Sequence, residues 1–594
     1  MVFGAPSWAP KVPPDAIPDS IPLCDFLLDE KHGRAPYDSS KAPFIWGTSA
    51  AGYTAVETRQ RVEGLARGLS QQLGWYPNGG SEWEKIVAVF APNHIDHMPL
   101  GWAVHRLSGI VCLINAASTA DELTYQLQAS KSSVLFTSGP VLETALEAAA
   151  KCGIPRSRVF LLDIPQDLLS GSKSPTEFTS VDQIINRGSG LGNLEPLKWE
   201  KGQGAKQCAY LCFSSGTSGL PKGVMLSHLN MIAEVFLVKQ FDSFTRTKGQ
   251  RDVVLGLLPQ SHLFGLSVFN AAVYQGDSVV VPPIVIAMVK NAELMNKYDL
   301  SSVRSLITGA APLGAETAEH LSRLQPSWSV LQAYGGTLTL RFISTSEIKL
   351  TDGITGLTET TAVATYTSSH DIFFGSSGSL IPSLEARLVS PSGDEIEEYD
   401  TPGELLIKGP TVVLGYLNND AANKETFQGG WLRTGDEAMF RKSAKGEDHV
   451  FIVDRIKELI KVKVRLFIPT YPAFSARRVS DNIIKGFQVA PAELEAHILT
   501  HPHVADTAVI AVPDDASGES PKAYVVKASD APADDKALIR DIQRHVEDHK
   551  AHYKWLRGGV EFIDVIPKSP SGKILRRYLR DRDREARRRR GSKL

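Results

Sequence analysis

Strand-like and helix-like segments alternate along most of this chain. Apolar runs such as KIVAVFAP and SVLFTS are separated by longer stretches such as ETRQRVEGLARGLSQQL, which have helical character. This succession is typical of a parallel sheet covered by helices, because parallel strands need a long crossover connection. We therefore predict an α/β fold with a large N-terminal body built on parallel sheets. No internal repeat competes with this interpretation.

The pattern changes in the C-terminal part of the chain. Short strands separated by Gly and Asp, as in GELLIKG and HVFIVDR, occupy residues 394–460 and indicate a small β-rich subdomain. From about residue 486 to 566 the order is helix, strand, helix, strand, which is typical of a small α+β domain. We assign residues 1–454 to the large body and residues 455–594 to a small, mobile C-terminal domain.

The balance of charge argues against a nucleic-acid partner. The 594 residues include 64 Lys and Arg against 66 Asp and Glu, a formal net charge of -2, so the chain lacks the basic excess that attracts phosphate backbones. With 42% hydrophobic and 22% charged residues, its composition is that of an ordinary globular protein. We find no long uncharged apolar run and no signal-peptide pattern, so we expect neither a membrane span nor a leader.

The five cysteines favour a reducing environment. They are odd in number and scattered, unlike a disulfide framework. Cys208 and Cys212 have no second Cys or His pair at zinc spacing, and both lie in an apolar, strand-like run. We predict that they are core residues rather than metal ligands.

The most informative segment follows the strand-like run AYLCF and reads SSGTSGLPKG. Small residues expose backbone N–H groups, hydroxyls add donors and Lys222 supplies a positive charge, a combination that suits a phosphate. It is not a Walker A loop, because Pro221 precedes the lysine and Gly223 follows it. From composition alone, a flexible surface loop is an equally good interpretation. The predicted phosphate-binding residues are Ser214, Ser215, Gly216, Thr217, Ser218, Gly219 and Lys222.

The sequence SSGTSGLPKGVMLSH resembles the phosphate-loop signature of the adenylate-forming superfamily, which includes acyl-CoA synthetases, firefly luciferases and peptide-synthetase adenylation domains. Further motifs follow in the family's order over about residues 45–580, and the nearest likeness is to coumarate:CoA ligases and related aryl- and acyl-CoA ligases. The resemblance implies activation of an aryl or medium-chain acyl acid by ATP to acyl-AMP, followed by transfer to CoA. It also implies Mg²⁺ as a cofactor, with ATP, CoA and a small-molecule carboxylic acid as ligands.

Two motifs resemble the family's acid pocket. LPQSHLFGL carries His262 and Phe264, which the resemblance places in the pocket wall. An imidazole there can orient the substrate carboxylate, although in isolation a core histidine is the better interpretation. GAAPLG carries Gly309 and Ala310, whose small size allows close backbone approach.

QAYG and LTETT together resemble the family's adenine and magnesium motif. The resemblance implies that Tyr334 lies against the adenine, Thr358 near the α-phosphate, and that Glu359 is the Mg²⁺ ligand, a role that suits a hard carboxylate donor. In WLRTGD, Asp436 can accept hydrogen bonds from both ribose hydroxyls. Taken alone, Thr-Gly-Asp is a common turn.

Motifs of the C-terminal part resemble the family's mobile domain. In DRIKELIKVK, Arg455 would reach the ribose or a phosphate, and Lys457 occupies the hinge position. Lys461 and Gln488 match positions near the phosphate and the acyl group. PKSPSGK carries Lys573, which would offset charge in the adenylate transition state, although most lysines near a C-terminus are merely solvated. Rotation about Lys457 would then withdraw Lys573 before thiol attack.

Three departures interrupt the family's pattern. Residues 336–356 separate QAYG from LTETT, and residues 464–485 separate DRIKELIKVK from GFQVAP. After Val281, GDSVVV joins directly to PPIVIAMVKN, where about one βα unit of the family is missing. We favour a gene-model error with two retained introns and one wrongly excised segment. The alternative is a divergent paralogue with remodelled loops.

These departures lead us to expect that the chain as written is inactive or poorly folded, because a lost βα unit leaves apolar sheet surface uncovered. Two rival functions stay open. Within the superfamily the rival is a luciferase-like or adenylation-only enzyme, and outside it a non-catalytic protein that binds nucleotide.

The sequence ends in Ser592-Lys593-Leu594 after an Arg-rich stretch. This tripeptide is a peroxisomal address that an import receptor reads from an exposed tail. We therefore expect a peroxisomal location, with the cytoplasm as the second choice.

Overall fold

A computed structural model of the chain describes most of its length in two compact units. Unit 1 comprises Met1–Thr401, Leu405–Thr434 and Phe440–Phe451, and unit 2 comprises Pro402–Glu404, Gly435–Met439 and Ile452–Leu594. The long part of unit 2 therefore begins close to the boundary placed at residue 455. The described residues are 1–594 except 48, 165–176, 215–220, 242, 244–248, 257, 282–302, 309–328, 335–338, 343–356, 369, 374–375, 466–483, 515–517, 569–573 and 592–594.

The predicted α/β fold is confirmed. The described α-helices are α1 (Leu23–Leu28), α2 (Ala55–Leu73), α3 (His97–His105), α4 (Ala120–Ser130), α5 (Leu142–Lys151), α6 (Val181–Ser189), α7 (Gln203–Lys206), α8 (His228–Phe241), α9 (Leu263–Tyr274), α10 (Asp420–Thr426), α11 (Pro491–Ile498), α12 (Asp535–His549) and α13 (Arg576–Gly591). Capping fixes several of their starts. Before α2, for example, the Thr54 side chain accepts from the backbone N–H of Glu57 while the Glu57 carboxylate accepts from that of Thr54.

The strands alternate with these helices in the N-terminal part and predominate after residue 300. They are β1 (Phe44–Trp46), β2 (Ile86–Phe90), β3 (Ile110–Ile114), β4 (Val134–Thr137), β5 (Val159–Leu161), β6 (Cys208–Ser214), β7 (Lys222–Ser227), β8 (Val253–Leu255), β9 (Ser278–Val281), β10 (Val303–Thr308), β11 (Ser329–Tyr334), β12 (Thr339–Phe342), β13 (Thr365–Tyr366), β14 (Ser379–Leu380), β15 (Glu385–Val389), β16 (Glu395–Ile396), β17 (Gly403–Lys408), β18 (Gly415–Tyr416), β19 (Phe427–Gln428), β20 (Trp431–Lys442), β21 (Asp448–Arg455), β22 (Ile460–Arg465), β23 (Ile484–Val489), β24 (Val504–Asp514), β25 (Gly518–Lys527) and β26 (Gly559–Phe562).

The first sheet has the strand order β18-β7-β6-β3-β2-β4-β5. Its central strands are parallel, and β7 and β18 are added antiparallel at one edge. β2 and β3 are buried at every residue, as expected of parallel strands covered by helices. Leu127 of α4 and Ala148 of α5 join Ile110 and Leu211 in one hydrophobic core.

The second sheet has the order β1-β9-β8-β12-β10-β11-β13-β14. β1, β9 and β8 are parallel, and so are β10 and β11. β12 lies between β8 and β10 and runs antiparallel to both. Because β12 belongs to residues 336–356, the first insertion contributes a strand to the sheet instead of forming a loop alone.

The predicted β-rich subdomain is also confirmed. A third sheet has the order β16-β15-β17-β20-β19, with β21 paired to β20. β15 pairs antiparallel with β16, and β19 pairs antiparallel with β20.

The long part of unit 2 is the predicted α+β domain. Its sheet has the order β23-β22-β25-β24, with β26 parallel to β25. Helix α12 buries Leu538, Ile542 and Val546, which are spaced four residues apart and so lie on one face of the helix. They share a core with Val509 of β24 and Ile460 of β22.

Two further expectations concern single residues and membranes. Cys208 and Cys212 are buried, which confirms that they are core residues, and burial raises the pKa of both thiols. Among the helices that the structure describes, none has both the length and the apolar character needed to cross a bilayer.

Candidate functional site

The predicted phosphate loop connects the antiparallel strands β6 and β7. Ser214 and Lys222 are partners in the strand register, so both lie at the same end of the hairpin. The Tyr125 hydroxyl, on α4, donates to the Pro221 carbonyl at 3.0 Å and holds the start of β7. The other predicted loop residues lie outside the described residues: Ser215, Gly216, Thr217, Ser218 and Gly219.

Tyr416 packs against Lys222 beside this hairpin. β18 pairs with β7 so that Tyr416 is opposite Val224, two residues from the lysine. The Lys222 ammonium lies 4.5 Å from the centroid of the Tyr416 ring, a cation–π contact that contributes about 0.5–2 kcal/mol, depending on how far the cation is desolvated.

The same tyrosine contacts Glu359. Its hydroxyl donates to Glu359 Oε1 at 2.8 Å. Burial and the neighbouring Glu359 carboxylate raise the pKa of the Tyr416 phenol far above its usual value, so the phenol stays protonated and remains a donor. Tyr416 therefore links the two sequence-predicted charged groups, Lys222 and Glu359.

Glu359 lies in a short 3-10 helix, Thr358–Thr360. The backbone is strained at the two residues that follow this helix. Thr361 has φ 53° and Ala362 has φ 84°, conformations that side-chain-bearing residues rarely adopt and that cost about 1–3 kcal/mol each. The Thr361 hydroxyl donates to the Thr411 carbonyl at 2.6 Å, and the Glu359 carbonyl accepts from the backbone N–H of Val413 at 3.1 Å. These bonds hold the carboxylate in one place despite the strain.

The predicted acid-pocket residues begin helix α9. The His262 ring Nδ1 accepts from the Phe264 backbone N–H at 3.3 Å and so caps the helix. Phe264 is buried. One turn further along α9, the Ser267 hydroxyl donates to the Thr361 carbonyl at 3.4 Å, so this helix contacts the turn that follows Glu359. Gly309 and Ala310 lie outside the described residues.

The halves of the interrupted adenine and magnesium motif remain neighbours. Tyr334, the last residue of β11, is opposite Thr365 of β13 in an antiparallel pair. Thr358 and Glu359 precede β13 by a few residues. The structure thus joins the flanks of residues 336–356 through strand pairing.

Asp436, Arg455 and Lys457 belong to unit 2. Asp436 is 1% exposed, and the Arg455 Nε lies 3.5 Å from its Oδ1. Lys457 is exposed in the turn that follows β21. The structure therefore brings the two predicted ribose-binding residues together and places the predicted hinge lysine just after the end of a strand.

Lys461 and Gln488 are register partners on β22 and β23. The pairing continues through Val464 with Lys485 and Arg465 with Ile484, so the ends of the second insertion extend the hairpin. Lys573 lies outside the described residues.

Tyr416 is the site residue that sequence reasoning missed. Its segment, LGYLNND, has no local pattern that indicates chemistry. The residue becomes visible only through the long-range pairing of β18 with β7, which no periodicity encodes.

The unit 1 residues can bind an anion beside a divalent cation. Lys222 provides a positive charge, and Glu359 provides a hard oxygen donor. In the described part of the chain, Glu359 Oε2 has no hydrogen-bond donor, because Tyr416 engages Oε1 alone. This donor set fits Mg²⁺.

Family models match both parts of the chain. One described as AMP-binding enzyme matches residues 35–285 and 353–417, and one described as AMP-binding enzyme C-terminal domain matches residues 493–573. Lys222, Glu359 and Tyr416 lie inside the first match. The gap between its two segments contains β12 and most of the first insertion.

A fungal relative aligns with nearly the whole chain. The acyl-CoA ligase easD of Emericella nidulans is 37% identical over 609 positions, covering 98% of this chain and 100% of that protein. The alignment is longer than the chain, so it includes positions that the relative has and this chain lacks.

Two solved structures share the fold. The anthranilate CoA ligase AuaEII, in complex with anthranoyl-AMP, has a TM-score of 0.74 at 22% identity and covers 97% of this chain and 99% of its own. ATP-bound MatB from Rhodopseudomonas palustris has a TM-score of 0.70 at 22% identity and covers 95% and 98%.

Proposed function

This chain belongs to the AMP-binding enzyme family, and we propose that it activates a carboxylic acid with ATP to acyl-AMP and then transfers the acyl group to CoA. It is an AMP-forming acid–CoA ligase. The likeness to the acyl-CoA ligase easD and to the anthranilate CoA ligase AuaEII supports this reaction. The acid is aryl or medium-chain acyl, as in coumarate:CoA ligase-like enzymes.

The observation that carries the proposal is the Tyr416 link between Lys222 and Glu359. The Tyr416 ring contacts the Lys222 ammonium and its hydroxyl contacts the Glu359 carboxylate, so one side chain positions a cation and a carboxylate. Such a pair suits a nucleoside triphosphate, because its phosphate chain needs both a positive charge and a site for its metal ion.

In the first half-reaction, a carboxylate oxygen of the acid attacks the α-phosphorus of ATP, and the bond to pyrophosphate breaks. Lys222 and Lys573 offset charge on the phosphate oxygens. His262 orients the substrate carboxylate next to Phe264. Tyr334 lies on the adenine, Thr358 contacts the α-phosphate, and the loop from Ser214 to Gly219 donates to phosphate oxygens.

Glu359 would hold Mg²⁺, which when bound neutralises phosphate charge. Asp436 and Arg455 bind the ribose. In the second half-reaction the thiol of CoA attacks the acyl carbon, and AMP leaves. Lys457, exposed in the turn after β21, allows the domain to rotate, while Lys461 and Gln488 act near the phosphate and acyl group.

The test separates the two half-reactions. Lys573→Ala is expected to reduce adenylate formation by orders of magnitude while thioester formation from supplied acyl-AMP persists, because the charge develops only in the first step. Lys568→Ala is the matched control. It removes a lysine of the same motif, one whose ammonium pairs with Asp506 at 2.7 Å, and it should leave both half-reactions intact.

One result would exclude the role of Lys573, and two others would contradict the proposed reaction. Equal loss of both half-reactions in Lys573→Ala would remove that residue's role. AMP formation that does not depend on CoA, across benzoate-type, cinnamate-type and medium-chain acids, would indicate an adenylation-only enzyme. ATP binding without acid-dependent pyrophosphate release would indicate a non-catalytic protein.

We also propose that Ser592, Lys593 and Leu594 direct the protein to peroxisomes through the import receptor. They follow the long helix α13 directly. A reporter fused to the N-terminus should enter peroxisomes, and deletion of the tripeptide should release it to the cytoplasm. An unchanged distribution after the deletion would exclude this address.

A further inference from the structure

Three histidines of unit 2 converge where two helices end. His497 lies in the last turn of α11, His549 is the last residue of α12, and His545 lies one turn before it. One ring nitrogen from each histidine lies within 4.8 Å of the other two. The rings of His497 and His545 are stacked with centroids 4.4 Å apart. We call these residues the histidine triad.

The electrostatic setting favours a cation. Helix C-termini carry partial negative charge from carbonyls without intrahelical partners, and both α11 and α12 end at the triad. The neighbouring cation is neutralised, because the Lys550 ammonium pairs with Glu493 at 3.2 Å. Asp548 is adjacent to His549 in the sequence, whereas Glu547 is neutralised by Arg540 at 2.8 Å.

Backbone carbonyls orient the rings. The His497 Nε2 and the His549 Nδ1 each lie 3.0 Å from the His545 carbonyl oxygen. An imidazole that donates one N–H to a carbonyl keeps a lone pair on its other nitrogen. This is the usual outer-shell arrangement of a histidine that binds a metal.

We propose that the histidine triad binds a divalent transition-metal ion of the Zn²⁺ class, with three imidazole ligands and one position open to water or another ligand. Imidazole nitrogen suits zinc, copper and nickel ions. Tetrahedral zinc with Zn–N bonds of about 2.0–2.1 Å needs ligand nitrogens about 3.4 Å apart. The nitrogens now lie within 4.8 Å of one another, so they would have to approach by up to about 1.4 Å. Because an imidazole lone pair lies in the ring plane, the parallel His497 and His545 rings would also have to rotate out of their stack.

The surroundings of the histidine triad allow an ion to enter from solvent, and a bound ion would have a specific effect on the stability of unit 2. His549 is exposed, so an ion can enter from solvent. The Thr500 hydroxyl lies 2.9 Å from the His545 Nε2, and His501, whose ring is 5.3 Å from that of His545, hydrogen-bonds to Asp541 at 3.2 Å. Bound metal would connect α11 to α12 and stabilise unit 2. This inference is independent of the ligase reaction.

The experiment uses the full chain without a polyhistidine tag, stripped with EDTA and dialysed. Calorimetric titration with ZnCl₂ is expected to show one equivalent bound per chain, and zinc should raise the unfolding temperature. His545→Ala should weaken zinc binding by at least about tenfold, a loss seen even for outer-shell partners, and should abolish the thermal shift. His552→Ala, an exposed histidine of the same unit outside the triad, should behave like the wild type.

His549→Ala keeps the proposal testable if His545→Ala fails to fold, because His549 is exposed. It should weaken zinc binding to the same degree while leaving the metal-free unfolding temperature unchanged. Co²⁺ should give visible absorption bands of a four-coordinate site in the wild type and lose them in this variant. Absence of zinc binding to the wild type, or equal binding by wild type and His549→Ala, would overturn the proposal.

Discussion

The two large sheets of unit 1 differ in how closely they follow the strand–helix alternation of the sequence. In the first sheet the five strands from β5 to β6 are all parallel, and β2 pairs with β3 at five positions. In the second sheet the parallel run is interrupted by β12, which pairs with β8 at two positions. β8 and β10 point the same way, so a parallel strand between them would have continued the regular arrangement.

The difference shows how the edges of two neighbouring strands in the second sheet are satisfied. Without a strand between β8 and β10, two rows of N–H and C=O groups would have no partners inside the protein. The chain supplies β12 from the insertion that follows β11.

The largest expected effect comes from removing that strand. Deleting residues 336–356 alone should strongly reduce the yield of folded protein, because β8 and β10 lose their shared neighbour. Deleting 336–356 and 464–485 while restoring the missing βα unit should give a ligase more active than the chain as written. Circular dichroism and acid-dependent pyrophosphate release measure the two effects.

Comparable activity of the unrepaired chain would contradict the gene-model hypothesis. It would mean that both insertions are true features of the enzyme. β12 would then be a genuine replacement for the missing strand.

The second effect tests the link between the first sheet and the segment after the insertion. Tyr416→Phe removes the hydroxyl that donates to Glu359 but keeps the ring that contacts Lys222. Loss of a hydrogen bond to a charged group costs about 1.5–3 kcal/mol, so the rate of adenylate formation should fall about tenfold or more. Single-turnover assays measure this rate.

Tyr399→Phe is the matched control for that variant. Its hydroxyl donates to the Asp448 carboxylate at 2.9 Å within unit 1, away from the proposed chemistry. An equal fall in both variants would show that the effect is structural and not specific to Glu359.

The third and smaller effect is a pH dependence of the free energy of unfolding. It arises at a second contact of the segment that follows the insertion, this time with helix α8. Glu234 of α8 is buried and accepts from the Val363 backbone N–H at 3.2 Å. Burial raises the pKa of this carboxyl well above its usual value, so the folded state favours the protonated form. Its stabilising contribution is present below the unfolded pKa of about 4.5 and is lost as pH rises through the folded pKa.

Glu234→Gln keeps an acceptor oxygen and removes the titration. The free energy of unfolding of the wild type should therefore fall relative to this variant between pH 5 and pH 8, by about 1.4 kcal/mol for each unit of pKa shift that the range spans. Chemical denaturation at both pH values measures it. Parallel pH profiles for wild type and variant would show that Glu234 does not titrate in the folded protein.

The smallest effect compares one buried valine from each sheet. Val89 of β2 is 0% exposed and Val254 of β8 is 1% exposed. Val89→Ala should cost about 2 kcal/mol of unfolding free energy, and Val254→Ala about 1 kcal/mol less, because a site beside the short β12 can relax more easily. Denaturation of the two variants decides this. A larger loss at Val254 would mean that the second sheet is packed as rigidly as the first.

Much of the fold follows from local pattern. The run IVAVF predicts a strand covered on both faces, and the four-residue spacing of Leu538, Ile542 and Val546 predicts the buried face of a helix. The candidate site is predictable in part for the same reason. Lys222 stands in a segment whose residue types suit phosphate whatever the rest of the chain does.

The sequence by itself determined the two-part α/β organisation, the core position of Cys208 and Cys212, and the residue types available for nucleotide chemistry. Only the tertiary structure decided that Tyr416 joins Lys222 to Glu359, that Lys461 and Gln488 are register partners, and that β12 lies between β8 and β10. Hydrophobic periodicity shows which face of a helix or strand is buried, because residues at a regular spacing within one element lie on the same face. Strand pairing joins residues far apart in the chain, and its register depends on which hydrogen-bonding edges are left to be satisfied.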